Sequence, residues 1–278
     1  MNYRRVCDSS CNVLEMESAQ DYKTVPLKIL VDKREFVDEK GLNIEELVES
    51  MEKSDTSSTS CPNTQEWLDA FEGADTIFAI TISSQLSGSY NSAILAKNQF
   101  LEAHPDAKIE IIDSIATGGS MTLIAEKIVQ CMEEGLSFEE TLQTVYSYMN
   151  HTHIIFLLES LQNLAKNGRL NPTIAKIAGL LGIRFLGKGS EKGTIQQAAI
   201  AKGPKRAMSA MYNEIKKLGY VGGKMRISNC LNLETATQLK ELLLKEVPLS
   251  DIQINACGGL CSYYAERGGL IICFEDFK

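Results

Sequence analysis

The sequence predicts an α/β protein in which an N-terminal domain with a parallel sheet is followed by a smaller α+β domain. In the first half, short β-branched runs alternate with segments of helical periodicity, which is typical of parallel α/β units. In the second half the order changes, and strands are no longer followed regularly by helices. The chain has 278 residues and 44% hydrophobic residues, enough for two units with cores of their own.

The apolar pattern places the elements of the first half in order along the chain. The predicted strands are residues 3–7, 25–31, 76–83 and 109–113, with a further strand at 154–158. The predicted helices are residues 43–53, 64–71, 89–103, 121–134 and 138–149. Asn43 and Thr64 are expected N-caps because their side chains can accept from first-turn N–H groups.

The second half is predicted to begin after the helix that ends near residue 149. Its strands are expected at residues 194–200, 224–229, 252–257 and 270–274, with helices at 204–217 and 233–245. The boundary is placed next to His151, which gives one domain of residues 1–150 and a second of residues 151–278.

Charge and hydropathy exclude several classes of function. The 28 basic and 36 acidic residues give a net charge of −8, which disfavours a broad nucleic-acid-binding surface. No apolar run approaches the roughly 20 residues of a membrane-spanning helix, and Arg4 and Arg5 are not followed by the apolar region of a signal peptide. We therefore expect a cytoplasmic protein without membrane insertion.

The cysteines and glycines do not form a metal or cofactor signature. The eight cysteines include no C-x-x-C pair and are expected to be reduced thiols. Residues 182–189 come close to a phosphate-binding loop, but Gly189 occupies the position where a Ser or Thr would contact magnesium. No G-x-G-x-x-G occurs, so neither a metal nor a cofactor is predicted.

Hydroxyl-rich segments adjoin several predicted strands. They are Asp8-Ser9-Ser10, Thr59-Ser60-Cys61-Pro62, the segment 83–90 that contains Ser87-Gly88-Ser89, and Asp113-Ser114 with glycines after it. Each segment alone is compatible with ordinary capping and turn formation. Together, at the carboxyl ends of strands and at a helix N-terminus, they predict a site for a carboxylate or phosphate.

Two alternatives remain open on the residues alone. A serine hydrolase would need a base, and the three histidines, His104, His151 and His153, lack a G-x-S-x-G partner and are expected to be structural or solvent-facing. Basic residues near Arg169 indicate either a charge-compensated helix end or a contact for a phosphate or an acidic partner.

Taken in order, these motifs resemble the DegV family, fatty-acid-binding proteins that include the FakB subunits of bacterial fatty acid kinase. Thr59-Ser60-Cys61-Pro62 is similar to the family's T-S-x-P, and residues 83–90 are similar to S-S-x-L-S-G-T-Y. Asp8-Ser9-Ser10, Ile112-Asp113-Ser114, residues 161–170 and Gly182-Ile183-Arg184 extend the resemblance over nearly the whole chain.

The resemblance implies a bacterial lipid-binding protein with two α/β domains and a tunnel between them for one fatty acid of the C16 to C18 class. It places the carboxylate at Thr59 and Ser87, with Ser60, Gly88 and Ser114 nearby. It implies binding without catalysis or, alternatively, presentation of the bound acid to a separate ATP-binding kinase subunit, and Arg169 is then the expected contact for the head group or partner.

One departure bears on the choice between these two functions. The family's terminal T-H-T-G-P-G corresponds to residues 263–268 here, so that Tyr264 replaces the expected His. Binding is therefore predicted more firmly than participation in phosphoryl transfer.

Overall fold

The computed structural model describes residues 3–16, 21–177 and 182–277. The strands are β1 (Arg4–Asp8), β2 (Tyr22–Val25), β3 (Lys28–Val31), β4 (Arg34–Val37), β5 (Ser57–Ser60), β6 (Thr76–Thr81), β7 (Lys108–Asp113), β8 (Thr152–Leu158), β9 (Ile183–Gly189), β10 (Ile195–Lys202), β11 (Lys224–Asn229), β12 (Asp251–Ala256) and β13 (Leu270–Glu275). The helices are α1 (Ile44–Lys53), α2 (Thr64–Phe71), α3 (Ser89–Ala103), α4 (Gly119–Glu133), α5 (Phe138–Met149), α6 (Gln162–Lys166), α7 (Pro172–Ala175), α8 (Pro204–Lys217), α9 (Leu233–Leu244) and α10 (Gly259–Ala265).

The first half contains the predicted parallel sheet, with strand order β2-β1-β6-β7. Helices cover both of its faces. Trp67 and Phe71 of α2 pack with Ile77 on one face, and Ile124 of α4 packs with Phe78 on the other. Because the central strands are buried on both sides, they appear in the sequence as continuous apolar runs.

The second half forms a six-stranded mixed sheet with the order β10-β9-β8-β13-β11-β12. Ile155 and Leu157 of β8 pack against the layer of α8 and α9. The alternate residues Phe156 and Leu158 belong to a separate apolar cluster on the opposite face. All six strands follow His151, in agreement with the predicted fold class; the division into domains at that residue remains a prediction.

Helix α4 lies between the four-stranded and the six-stranded sheet and contacts both of them. A Cβ atom on Gly119 would come 2.5 Å from Cβ of Arg226 in β11, so the helix approaches this strand more closely than a side chain would allow. Arg226 is buried and pairs through Nη2 with Glu126 Oε2 of α4 and with Asp251 Oδ2, each at 2.8 Å. The ion pairs fix the contact between α4 and the larger sheet.

Several local predictions were wrong. The strand expected at residues 25–31 is two strands, β2 and β3, because Pro26 lacks the N–H group that a continuous ladder requires. After Pro26 the chain enters a separate antiparallel sheet of order β4-β3-β5, in which β4 and β5 were not predicted. The N-cap of α2 is Asn63 rather than Thr64, with a capping box to Glu66. Strand β9, residues 183–189, was also not predicted.

Candidate functional site

A cavity of about 310 Å³ lies between the four-stranded and the six-stranded sheet. Its volume is near the lower end of the roughly 300 to 1,000 Å³ that is typical of small-molecule sites. The carboxyl ends of β6 and β7 contribute Ile82 and Ile115 to it, and the inner face of the six-stranded sheet contributes Phe156 and Ile271. Leu260 of α10 lines a further side. Most of the wall is therefore apolar, which suits a hydrocarbon chain.

Two hydroxyl groups from distant parts of the sequence meet at this wall. Thr59 lies in β5 and Tyr264 in α10, and Thr59 Oγ1 is 2.8 Å from the Tyr264 phenol oxygen. Burial raises the pKa of Tyr264, so its phenol stays protonated at neutral pH. The pair holds two protons, one of which makes the mutual hydrogen bond. The other is left to be donated to a carboxylate oxygen.

The N-terminus of α3 adds further donors. Ser87 and Gly88 line the cavity, and Gly88 is the N-cap residue of this 15-residue helix. Gly88 has no side chain to cap the helix, and the Ser87 hydroxyl accepts from the Ser89 N–H at 3.3 Å. The N–H groups there, together with the helix dipole, favour a negatively charged ligand group.

Arg169 is the one charged residue in the described part of the cavity lining. Its Nε donates to the carbonyl oxygen of Leu86 at 3.2 Å, and its Nη1 donates to the carbonyl oxygen of Asn167. Both partners are neutral, so the guanidinium charge is not cancelled by these bonds. Arg169 thus gives the cavity a positive potential beside the Ser87 turn.

The other predicted site residues are placed unequally. Ser60 lines the cavity next to Thr59. Ser114 does not line it: its hydroxyl donates to the Ala116 carbonyl at 3.1 Å and accepts from the Ala116 N–H at 3.2 Å. This side chain therefore shapes the loop that carries Ile115, and a direct contact of Ser114 with a ligand stays a prediction.

Asp8, in the first hydroxyl-rich segment, holds together elements that adjoin the cavity. Asp8 is fully buried and accepts hydrogen bonds from Ile82 N at 2.8 Å, from Ser89 Oγ at 2.7 Å and from Ser10 Oγ at 2.5 Å. Burial outweighs these bonds and raises the pKa of Asp8 to about 6. The carboxyl group thus ties the end of β1 to the end of β6 and to the start of α3.

A second buried carboxyl group was not identified from the sequence. Asp38 accepts from the N–H groups of Gly259 at 2.5 Å and Leu260 at 3.0 Å, and from Ser9 Oγ at 2.8 Å. It therefore caps α10, the helix that carries Tyr264. Neither was predictable, because Asp38 belongs to no motif and α10 is a seven-residue helix that starts at a glycine pair.

The described residues provide no support for a hydrolase or a metal site. His151 Nδ1 and His153 Nε2 both contact the Asp276 carboxylate, at 2.9 and 3.0 Å, and the His104 ring stacks on Phe100. No histidine belongs to the described cavity lining. No group of three or more metal-ligating side chains occurs in residues 3–16, 21–177 and 182–277, and none of the helices described there is long and apolar enough to cross a membrane.

Comparisons with known proteins agree with this architecture. The family profile described as "Uncharacterised protein, DegV family" matches residues 6–276. A DegV domain-containing protein of Streptococcus pneumoniae is 41% identical over 279 residues, covering 99% of each chain.

Two solved structures are similar over the full length of the chain. The Streptococcus pneumoniae Fatty Acid Kinase (Fak) B3 protein loaded with linoleic acid has a TM-score of 0.97 at 41% identity, with 100% of both chains covered. A DegV family protein from Eubacterium eligens loaded with heptadecanoic acid has a TM-score of 0.95 at 39% identity, covering 99% of this chain and 100% of the other.

Proposed function

Because the chain belongs to the DegV family, we propose that it binds one long-chain fatty acid. The carboxylate lies at the Thr59–Tyr264 pair and the Ser87 turn, with Arg169 close by, and the acyl chain fills the cavity. The observation that supports this most directly is the composition of the wall, which is apolar except for hydroxyl groups and one guanidinium group.

The acyl chain provides most of the affinity and the head-group contacts provide orientation. Each buried methylene contributes about 0.8 kcal/mol, so the fourteen methylenes of palmitate give roughly 11 kcal/mol before the costs of association. One hydrogen bond to the carboxylate adds only about 1.5 to 3 kcal/mol. The protein therefore holds and orients its ligand, and we propose that it performs no chemistry alone.

Mass spectrometry of the lipid extracted from purified protein tests this function. We expect one fatty acid per chain, in the C16 to C18 class, and uptake of added palmitate or oleate after delipidation. Absence of acyl compounds in the extract, combined with no uptake of either acid, would refute the proposal.

A second function is favoured by Arg169 and by the relative named as a fatty acid kinase B protein. In this function the chain presents the bound carboxylate to a separate ATP-binding subunit in the cytoplasm, and Arg169 contacts the phosphorylated head group. Tyr264 at the position of the family's His makes us expect slow turnover. Mixing the protein with a cognate kinase subunit, ATP and oleate, and measuring ADP release, separates presentation from binding alone.

A further inference from the structure

The wall of the cavity contains a glycine between two isoleucines, on three neighbouring strands. Gly189 at the end of β9 pairs with Ile195 of β10. On its other side β9 pairs with β8 in a register that places Lys188 opposite Ile155, so Gly189 lies beside Ile154. Gly189, Ile154 and Ile195 all line the cavity. Neighbouring positions across a sheet point to the same face, so a side chain at position 189 would also point into it.

Gly189 leaves the space into which Ile154 packs. A Cβ atom built on Gly189 would be 2.7 Å from Cγ2 of Ile154, a separation that real Cβ atoms essentially never show. The Ile154 side chain therefore lies over the glycine backbone, in the wall of the cavity. Any residue larger than glycine would displace Ile154 into the space for the ligand, in addition to adding its own atoms.

The same strand shows this packing a second time. A Cβ atom on Gly187 would be 2.1 Å from Cε2 of Phe156, so that the aromatic ring lies over the backbone at this position as well. The glycines of residues 182–189, which resemble a phosphate-binding loop in the sequence, thus include two that make room for apolar side chains of β8.

We propose that Gly189 is a specificity-determining residue, which keeps the cavity wide enough for an acyl chain bent by a cis double bond. A saturated chain can run straight past Ile154 and Ile195, whereas a cis double bond bends the chain. The bent chain needs a wider cavity. A narrower cavity therefore excludes the bent chain before it excludes the straight one. This inference rests on the proposed fatty acid binding and identifies the class of acyl chain that the site accepts.

Delipidated wild-type protein, Gly189→Ala, Ile154→Ala and the double variant provide the test, with stearate and oleate as probes. Both acids have eighteen carbons, so their ratio of dissociation constants reports shape and cancels general losses of affinity. We expect Gly189→Ala to weaken oleate relative to stearate by roughly tenfold, because overpacking costs about one order of magnitude in affinity. Ile154→Ala removes the displaced Cγ2 atom, so the double variant should regain most of the wild-type ratio.

The outcomes separate this inference from the function on which it rests. An unchanged oleate-to-stearate ratio in Gly189→Ala, or a shifted ratio that the double variant fails to restore, overturns the role of Gly189 while fatty acid binding stands. Wild-type protein that binds neither acid overturns the proposed function and the inference together. Melting temperatures confirm that each variant is folded, and the double variant keeps the test informative if Gly189→Ala is unstable.

Discussion

Replacing Thr59 by valine removes one hydroxyl group from the cavity and keeps the branched shape of the side chain. In the structure Thr59 Oγ1 is 2.8 Å from the Tyr264 phenol oxygen, and the pair has one proton left to donate to a carboxylate. A hydrogen bond to a charged group contributes about 1.5 to 3 kcal/mol, which corresponds to roughly 10- to 150-fold in the dissociation constant. Since Tyr264 can still donate in the variant, we expect the lower end, about tenfold weaker binding of oleate.

Ser58 provides a matched control on the same strand. It is the neighbour of Thr59 in β5, its side chain is exposed, and it does not belong to the described lining of the cavity. Titration of delipidated protein with oleate, followed by calorimetry, should show weaker binding for Thr59→Val and unchanged binding for Ser58→Ala. Equal dissociation constants for the wild type and Thr59→Val would refute the placement of the carboxylate at this pair.

Three further predictions concern buried polar contacts. The raised pKa of Asp8, about 6 against about 3.9 for an unfolded chain, means that the folded state holds the proton more tightly. This carboxyl group therefore lowers the free energy of unfolding by about 3 kcal/mol as the pH rises from about 4 to 6. Asp8→Asn should remove this part of the pH dependence, measured by urea unfolding at several pH values. The same pH dependence in the variant and the wild type would contradict the prediction. Arg226→Met removes the buried ion pair with Glu126, which keeps Lys224 as a partner, and should lower the free energy of unfolding by about 1.5 to 3 kcal/mol. An unchanged urea midpoint would show that this ion pair does not hold α4 to the larger sheet. Ser83→Ala removes the 2.8 Å hydrogen bond to the carbonyl of Gly193, a residue of the cavity lining, and should speed oleate release about fivefold. An unchanged release rate in stopped-flow displacement would show that this contact plays no part in retention.

The regular elements were predictable because each is determined by local patterns. Helices α2, α3 and α5 occupy the predicted residues, and α8 and β11 also match their predicted bounds. In these segments apolar periodicity, capping residues and chain breaks agree with one another. The short strands β4 and β5 were missed, because each has only four residues and neither alternates apolar and polar side chains.

The site was predicted only where the sequence carries a motif. Thr59, Ser87 and Gly88 belong to such motifs, and they do lie around one cavity. Ser114 shares the same chemistry and the same kind of position, yet its hydroxyl bonds to its own loop. Residue type and spacing cannot distinguish a hydroxyl group that faces a ligand from one that stabilises a turn, since both roles favour the same residues.

By itself the sequence determined the fold class, the family and the hydroxyl groups suited to an anion, because local pattern and motif spacing carry that information. The tertiary structure decided which of these groups share one wall. It brought Thr59 and Tyr264 together across 205 positions of sequence, placed Asp38 under α10, and set Gly189 beside Ile154. Such contacts depend on how helices and sheets pack, and no local feature of the chain encodes the distance between residues that meet only after folding.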